Sequence, residues 1–193
     1  AIRLNKITRA NYTGGQINGN VDNVGGVFHV EGNRVIDGDY DQTFGATLSL
    51  GLHTETSLTA KNITLDSGSA VYIDTKSGYL YLGNGTHTVE LLRTDGGKLT
   101  ATGITVDSSS ALVKIADWYI NDANNLELVI EAASIAGIAD SAISSGTLSG
   151  QTATNARSLA TVFDKLAEAG LIQNNPEYFD ALLSLLDTND PAK

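Results

Sequence analysis

Asp37, Asp39 and Asp41 form the run with the clearest chemical potential in this chain. Carboxylates at alternate positions of a strand project to one face, and D-x-D-x-D is how a calcium loop begins. The remainder of that loop pattern fails. Gln42 stands where the turn glycine belongs, and Leu48 where a bidentate glutamate belongs. Solvated turn residues are the expectation. His29, His53 and His87 are scattered through strand-like runs. None has a Ser, Cys or carboxylate at a catalytic sequence spacing, so outward surface positions are expected. Gly14-Gly15, Gly25-Gly26 and Gly96-Gly97 do not match G-x-G-x-x-G between a strand and a helix, and read as turns. Tyr79, Tyr81, Trp118 and Tyr119 supply aromatic surface for a ligand platform. The plainer expectation is that some are core and others cover the structure with a polar tip exposed. These residues predict no catalytic, cofactor-binding or metal-ligating set, no cofactor and no enzyme.

The elements that position these residues are short strands. In residues 35–52, Ala46, Leu48, Leu50 and Leu52 alternate with Thr47, Ser49, Gly51 and His53. That period of two marks a strand with one buried face. The same grammar, a few alternating residues and then a Gly, Asn, Asp or Ser turn, recurs to about residue 133. Strands are expected in 2–8, around Ile17, in 25–31, near Leu58, at 63–65, around Val71 and Ile73, around Leu80 and Leu82, and from Val89 to Leu91. Leu99, Ile104 and Val106, then 111–120 and 126–130, continue the series. An antiparallel sandwich or barrel and a parallel β-helix both fit. Few tight hairpin signals and small aliphatic inward residues favour the β-helix, with about six coils of roughly 20–25 residues.

The grammar changes at Ser134. Residues 134–150, rich in Ala, Ser and Gly, read as a linker. Thr152 or Thr154 then caps a helix carrying Leu159, Val162, Phe163 and Leu166 on one stripe, and Gly170 stops it. Asn175-Pro176 opens a second helix with Phe179, Leu182, Leu183 and Leu186 on its stripe. The expected organisation is thus a β region over 1–133, a linker over 134–150 and a helical hairpin over 151–193. The two stripes are expected to face each other and the strands around 126–130.

The chain has 193 residues, a formal net charge of −10, 20 glycines, two prolines, no cysteine and no methionine. The negative charge repels a phosphate backbone, so nucleic acid is not an expected partner. Without Met the chain does not begin at a natural translation start, so an excised piece, a mature fragment or a recombinant product is expected. No basic amphipathic or membrane-spanning run is present. Zero cysteine removes disulfides from the argument, as suits an exported chain that avoids them.

Three passages in order resemble the C-terminal end of the passenger of a Gram-negative type V autotransporter. GDYDQTFGATLSLGL, within residues 32–52, is similar to a recurrent passenger coil. ITVDSSSALVKIADWYINDANNLELVI, within 103–130, is similar to the last passenger coils. TNARSLATVFDKLAEAG and the Leu-rich segment after it are similar to the helical segment before the translocator barrel. Asn155 follows Thr154 where the family pattern has proline. The resemblance implies a mainly β fold, a right-handed single-stranded parallel β-helix with a C-terminal α-helical segment. It also implies a non-catalytic, autochaperone-like role in folding and secreting a surface protein, an adhesin or self-associating protein. Its implied partners are the protein's own translocator barrel, the outer-membrane assembly machinery, and a host surface or a second copy. Its implied location is the cell surface, anchored through the outer membrane. The competing expectation is a polysaccharide lyase or hydrolase on a β-helix. That requires carboxylates converging on one face with Arg or Lys beside them.

Overall fold

The structure is a computed structural model that describes residues 1–171 except 7, 54, 76–80, 109 and 111. Three sheets take the strands in rotation. Sheet A holds β1 (Ile2–Asn5), β4 (Val21–Val24), β7 (Tyr40–Gln42), β10 (Ile63–Leu65) and β13 (Leu99–Ala101). Sheet B holds β2 (Arg9–Tyr12), β5 (Val27–Val30), β8 (Thr47–Leu50), β11 (Ala70–Ile73) and β14 (Thr105–Ser108). Sheet C holds, in order from its start, β3 (Ile17–Asn18), β6 (Arg34–Asp37), β9 (Leu58–Ala60), β12 (Gly85–Thr94), β16 (Leu126–Ala132) and β15 (Val113–Ile120). In sheets A and B each strand pairs in parallel with the strand three places on. The same holds from β3 to β12 in sheet C. Parallel pairing excludes the antiparallel sandwich or barrel.

The rotation breaks at the end. β15 and β16 are neighbours in sheet C, joined only through Asn121–Asn125, a connection too short for a parallel crossover. They form a hairpin whose turn places Asn124 at φ 60° and bonds Asn121 to Asn125. Asparagine tolerates that left-handed backbone.

The chain divides into two compact units. The first comprises Ala1–Leu80, Thr88–Ser108 and Ile115–Ile130; the second comprises Tyr81–His87, Ser109–Lys114 and Glu131–Lys193. In the first unit, parallel register stacks like residues in columns. Val21, Tyr40, Ile63 and Leu99 align in sheet A. Phe28, Leu48 and Val71, and then Val30, Leu50 and Ile73, align in sheet B. All of these are buried. The rings of Tyr12, Phe28 and Tyr40 stack in sequence at centroid distances of 6.1 and 5.7 Å.

The spacing along the chain shows where the circuits differ. From sheet A to sheet B, the aligned steps Asn23 to Val27, Gln42 to Thr47, Leu65 to Ala70 and Ala101 to Thr105 are 4, 5, 5 and 4 residues. From sheet B to sheet C, Val30 to Arg34, Leu50 to Leu58 and Ile73 to Leu92 are 4, 8 and 19 residues. The circuit length from Val21 to Tyr40, Ile63 and Leu99 therefore grows as 19, 23 and 36 residues. The expected length of roughly 20–25 residues is exceeded in the last of these circuits, because the corner from sheet B to sheet C takes up most of the extra chain.

Buried side-chain amides close the A-to-B corner. Asn23 Oδ1 accepts from the Gly26 N–H at 3.1 Å, and its Nδ2 donates to the Thr47 carbonyl of the next circuit at 3.0 Å. Gln42, aligned on Asn23, donates to the Ala70 carbonyl of the circuit after, at 2.9 Å. A Cβ on Gly26 would stand 2.8 Å from the Thr8 carbonyl oxygen, so the circuits pass too closely there for any other residue.

In the second unit, residues expected as a linker form helix α1 (Ile135–Ser144). The Ser134 hydroxyl caps it by accepting from Gly137 N–H at 2.9 Å. Helix α2 (Gly150–Glu168) starts before Thr152 and Thr154, which are helical residues rather than caps. It ends at Gly170, φ 71°, as the sequence predicts. The expected apolar stripe is not its buried side. Leu159 and Val162 are 58% and 52% exposed, whereas Ala153, Ala160, Asp164 and Ala167 are buried. Helix α1 packs against α2, whose buried residues are three alanines and Asp164. The second predicted helix, 176–186, and the tail 188–193 lie outside the described residues. Among the described residues, no helix is long and apolar enough to cross a membrane.

Candidate functional site

The parallel register gathers chemistry that sequence spacing hides. His29 in β5 aligns with Ser49 in β8. Asp74 follows β11 directly and bonds through its N–H to Leu50. His29 points away from the Phe28 and Val30 columns, as its place in the alternation requires. It is nevertheless only 3% exposed, which corrects the expected surface position. Its Nδ1 lies 3.0 Å from Ser49 Oγ and 3.9 Å from Asp74 Oδ2, and its Nε2 lies 3.7 Å from Glu31 Oε1. Burial lowers the His29 pKa from its usual 6.5. The Asp74 carboxylate opposes the shift, the Arg9 charge adds to it, and the Glu31 carboxylate opposes it.

Ser, His and Asp are the residue types of acyl transfer, but their arrangement is not that of a relay. A serine nucleophile and its orienting acid occupy opposite ring nitrogens of the histidine. Here Ser49 and Asp74 share Nδ1, and the Glu31 contact at Nε2 is longer than a hydrogen bond. The cluster binds a buried imidazole in place.

The other candidate residues separate. The run from Asp37 to Asp41 is not one strand. Asp37 ends β6 in sheet C, Asp41 lies in β7 of sheet A, and Asp39 sits at the corner between them. Asp39 Oδ1 accepts from Asn62 Nδ2 at 2.7 Å. Among the described residues, no three His, Cys, Asp or Glu side chains are placed to hold a metal ion. Tyr79 lies outside the described residues. Tyr81 and Leu82, expected in a strand, are not in one. The Tyr81 hydroxyl donates to Asp164 at 2.6 Å. Trp118 and Tyr119 are consecutive in β15 and so face opposite sides. Tyr119 bonds to Glu127 across the hairpin. His53 is half-buried, and His87 lies in β12.

Two acidic side chains that the sequence reading did not single out are held in networks. Burial opposes ionisation of Glu90, but hydrogen bonds from Thr56, Arg93 and Asn125 outweigh it and keep the carboxyl below its usual range. Asp164 is buried in α2. Its Oδ1 accepts from the Ile135 N–H at 2.8 Å, and its Oδ2 from the Ala136 N–H at 2.9 Å. It therefore satisfies two of the open N–H groups at the start of α1. The sequence carries no signal for this role, because Asp164 falls outside the apolar stripe of Leu159, Val162, Phe163 and Leu166.

No family model matches the chain, and neither a curated protein nor a solved structure is significantly similar to it.

Proposed function

We propose that the chain is a non-catalytic C-terminal passenger module of a type V autotransporter, a surface protein of the adhesin kind whose folding and secretion across the outer membrane it promotes. In this reading the three sheets form a right-handed single-stranded parallel β-helix, and the helical segment leads toward a translocator barrel. The observation that carries the reading is the rotation through three sheets with each strand pairing the third one on, ended by the β15–β16 hairpin and helices. That order of parts fits the passages that resemble the family. Glu90, an acid with an Arg beside it, is held by Thr56, Arg93 and Asn125, and the Ser49–His29 pair lacks a relay geometry.

The coding sequence after Lys193 tests the proposal. It is expected to encode an even number of strands, about twelve, each of about ten alternating residues. Another kind of domain there would overturn the reading. In the full-length protein, Leu50→Ala should leave barrel insertion intact and yield a protease-sensitive surface passenger. Equal display and equal protease resistance of the variant and the parent would count against it.

A further inference from the structure

The corner from sheet B to sheet C takes up the chain's insertions, and stacked repeats place their insertions on the side that binds. Arg34 opens β6 at this corner. It aligns with Leu58 and Leu92, both fully buried, so its guanidinium stands at the end of an inward column. Its Nη1 donates to the Asn33 carbonyl at 3.0 Å, its Nη2 to the Thr13 carbonyl, and its Cζ lies 5.9 Å from the centre of the Tyr12 ring. Its Nε–H is buried and has no acceptor among the described residues. His53, on the longer loop of the next circuit, has a buried Nε2 that also lacks a partner there. The guanidinium acts on this imidazole: burial first, and then the Arg34 charge, lowers the His53 pKa from 6.5. No carboxylate pairs with Arg34 among the described residues, and the Glu55 carboxylate is engaged by Asn33 at 2.8 Å.

We propose that Arg34 and His53 bind a small oxyanion, the Arg34 Nε–H and the His53 Nε2–H both donating to it. A guanidinium suits this role because its planar N–H groups match the oxygens of a carboxylate or sulfate group. An anion also reverses the local field, since a neighbouring negative charge favours the imidazolium that Arg34 and burial oppose. A neutral water completes the same donors without that electrostatic effect, which separates the two.

The test is a titration of the full chain, labelled with 15N and 13C, followed at the Arg34 Nε–H and the His53 ring by NMR. Sulfate and acetate are added in separate arms, against chloride at matched ionic strength. Saturable shifts at both residues are expected, with the His53 pKa rising by about one unit in the bound state and His29 unmoved. Response to sulfate alone assigns a tetrahedral ligand, and response to acetate assigns a carboxylate. Arg34→Gln should abolish the His53 response. His53→Gln, which leaves the Tyr12 and Thr13 contacts of Arg34 intact, should weaken saturation at Arg34 at least threefold. Absence of saturable shifts in both arms, or equal shifts in chloride, would overturn the proposal, as would an unchanged response in His53→Gln.

Discussion

The corner from sheet A to sheet B and the corner from sheet B to sheet C serve the same stack and are built differently. The first keeps a step of 4 or 5 residues through four circuits, and buried amides bond it to the next circuit. The second lengthens from 4 to 8 to 19 residues. Strand register is set by the columns between the corners, so extra chain must leave the stack at a corner. It leaves at the corner whose side-chain ties between circuits, Arg34 to the Thr13 carbonyl and Asn33 to Glu55, are exposed rather than buried. His29, Asp74, Arg34 and His53 all lie in or beside that permissive corner, whereas among the described residues the buried side chains that donate from one circuit to the next at the uniform corner are the neutral amides of Asn23 and Gln42. Stability and chemical variety are thus assigned to different edges of one stack.

The largest test of this difference is an insertion. Two residues, Gly-Ser, placed after Gly45 should displace three backbone bonds, Gly45 to Gly68, Ala46 to Thr43 and Thr47 to Gly26. At about 1 kcal/mol each, the loss is about 3 kcal/mol. The same pair placed after Glu55 lengthens a loop and should cost well under about 1 kcal/mol. Urea denaturation of both variants measures the contrast, and equal midpoints would erase it.

A smaller effect is expected from Asn23→Ala. The substitution strips partners from the Gly26 N–H and the Thr47 carbonyl, at about 1–3 kcal/mol for buried groups left unmade. Asn33→Ala, an exposed residue of the permissive corner, is the comparison and should shift the denaturation midpoint little. Matching losses in the two variants would show that the amide staple does not distinguish the corners.

The smallest effect concerns pH. His29 and His53 both have folded-state pKa values below the unfolded 6.5. The unfolded chain therefore binds more protons, and the stability is fully present above pH 6.5 and is lost as pH falls through the folded values. Stability measured stepwise downward from pH 7.5 should begin to fall near pH 6.5. His29→Gln should flatten that fall, and an unchanged slope would show that His29 does not contribute to it. Glu90 acts in a separate, more acidic window. Its folded pKa is below 4.5, so its contribution is present above pH 4.5 and is lost as pH falls further.

How much was legible in the sequence followed the strength of the alternation. Residues 46–52 declare their strand because every inward residue is Ala or Leu. Strand β4 was not read, since Asn23 occupies an inward place and breaks the apolar period while being fully bonded inside. Strand β2, with Arg9 and Asn11 alternating with Ala10 and Tyr12, shows a similarly weak pattern. The helix in the expected linker has a serine cap and three isoleucines, but its many Ser and Ala residues resemble a spacer. In α2 the large apolar residues drew the prediction, whereas the buried side is made of alanines and an aspartate. The His29 cluster could not be read from spacing. His29 lies 20 residues from Ser49 and 45 from Asp74, and only parallel register brings them together.

The amides of Asn23 and Gln42 also give the stack a direction. Each reaches forward, to a carbonyl contributed by the circuit nearer the C-terminus. A circuit laid against a finished C-terminal neighbour meets its acceptor already fixed in space. A circuit laid first holds an amide whose cross-circuit acceptor is not yet in place. At these two corners, assembly that begins on the C-terminal side therefore proceeds on a template, and the opposite order leaves the amide without its cross-circuit acceptor until the next circuit arrives.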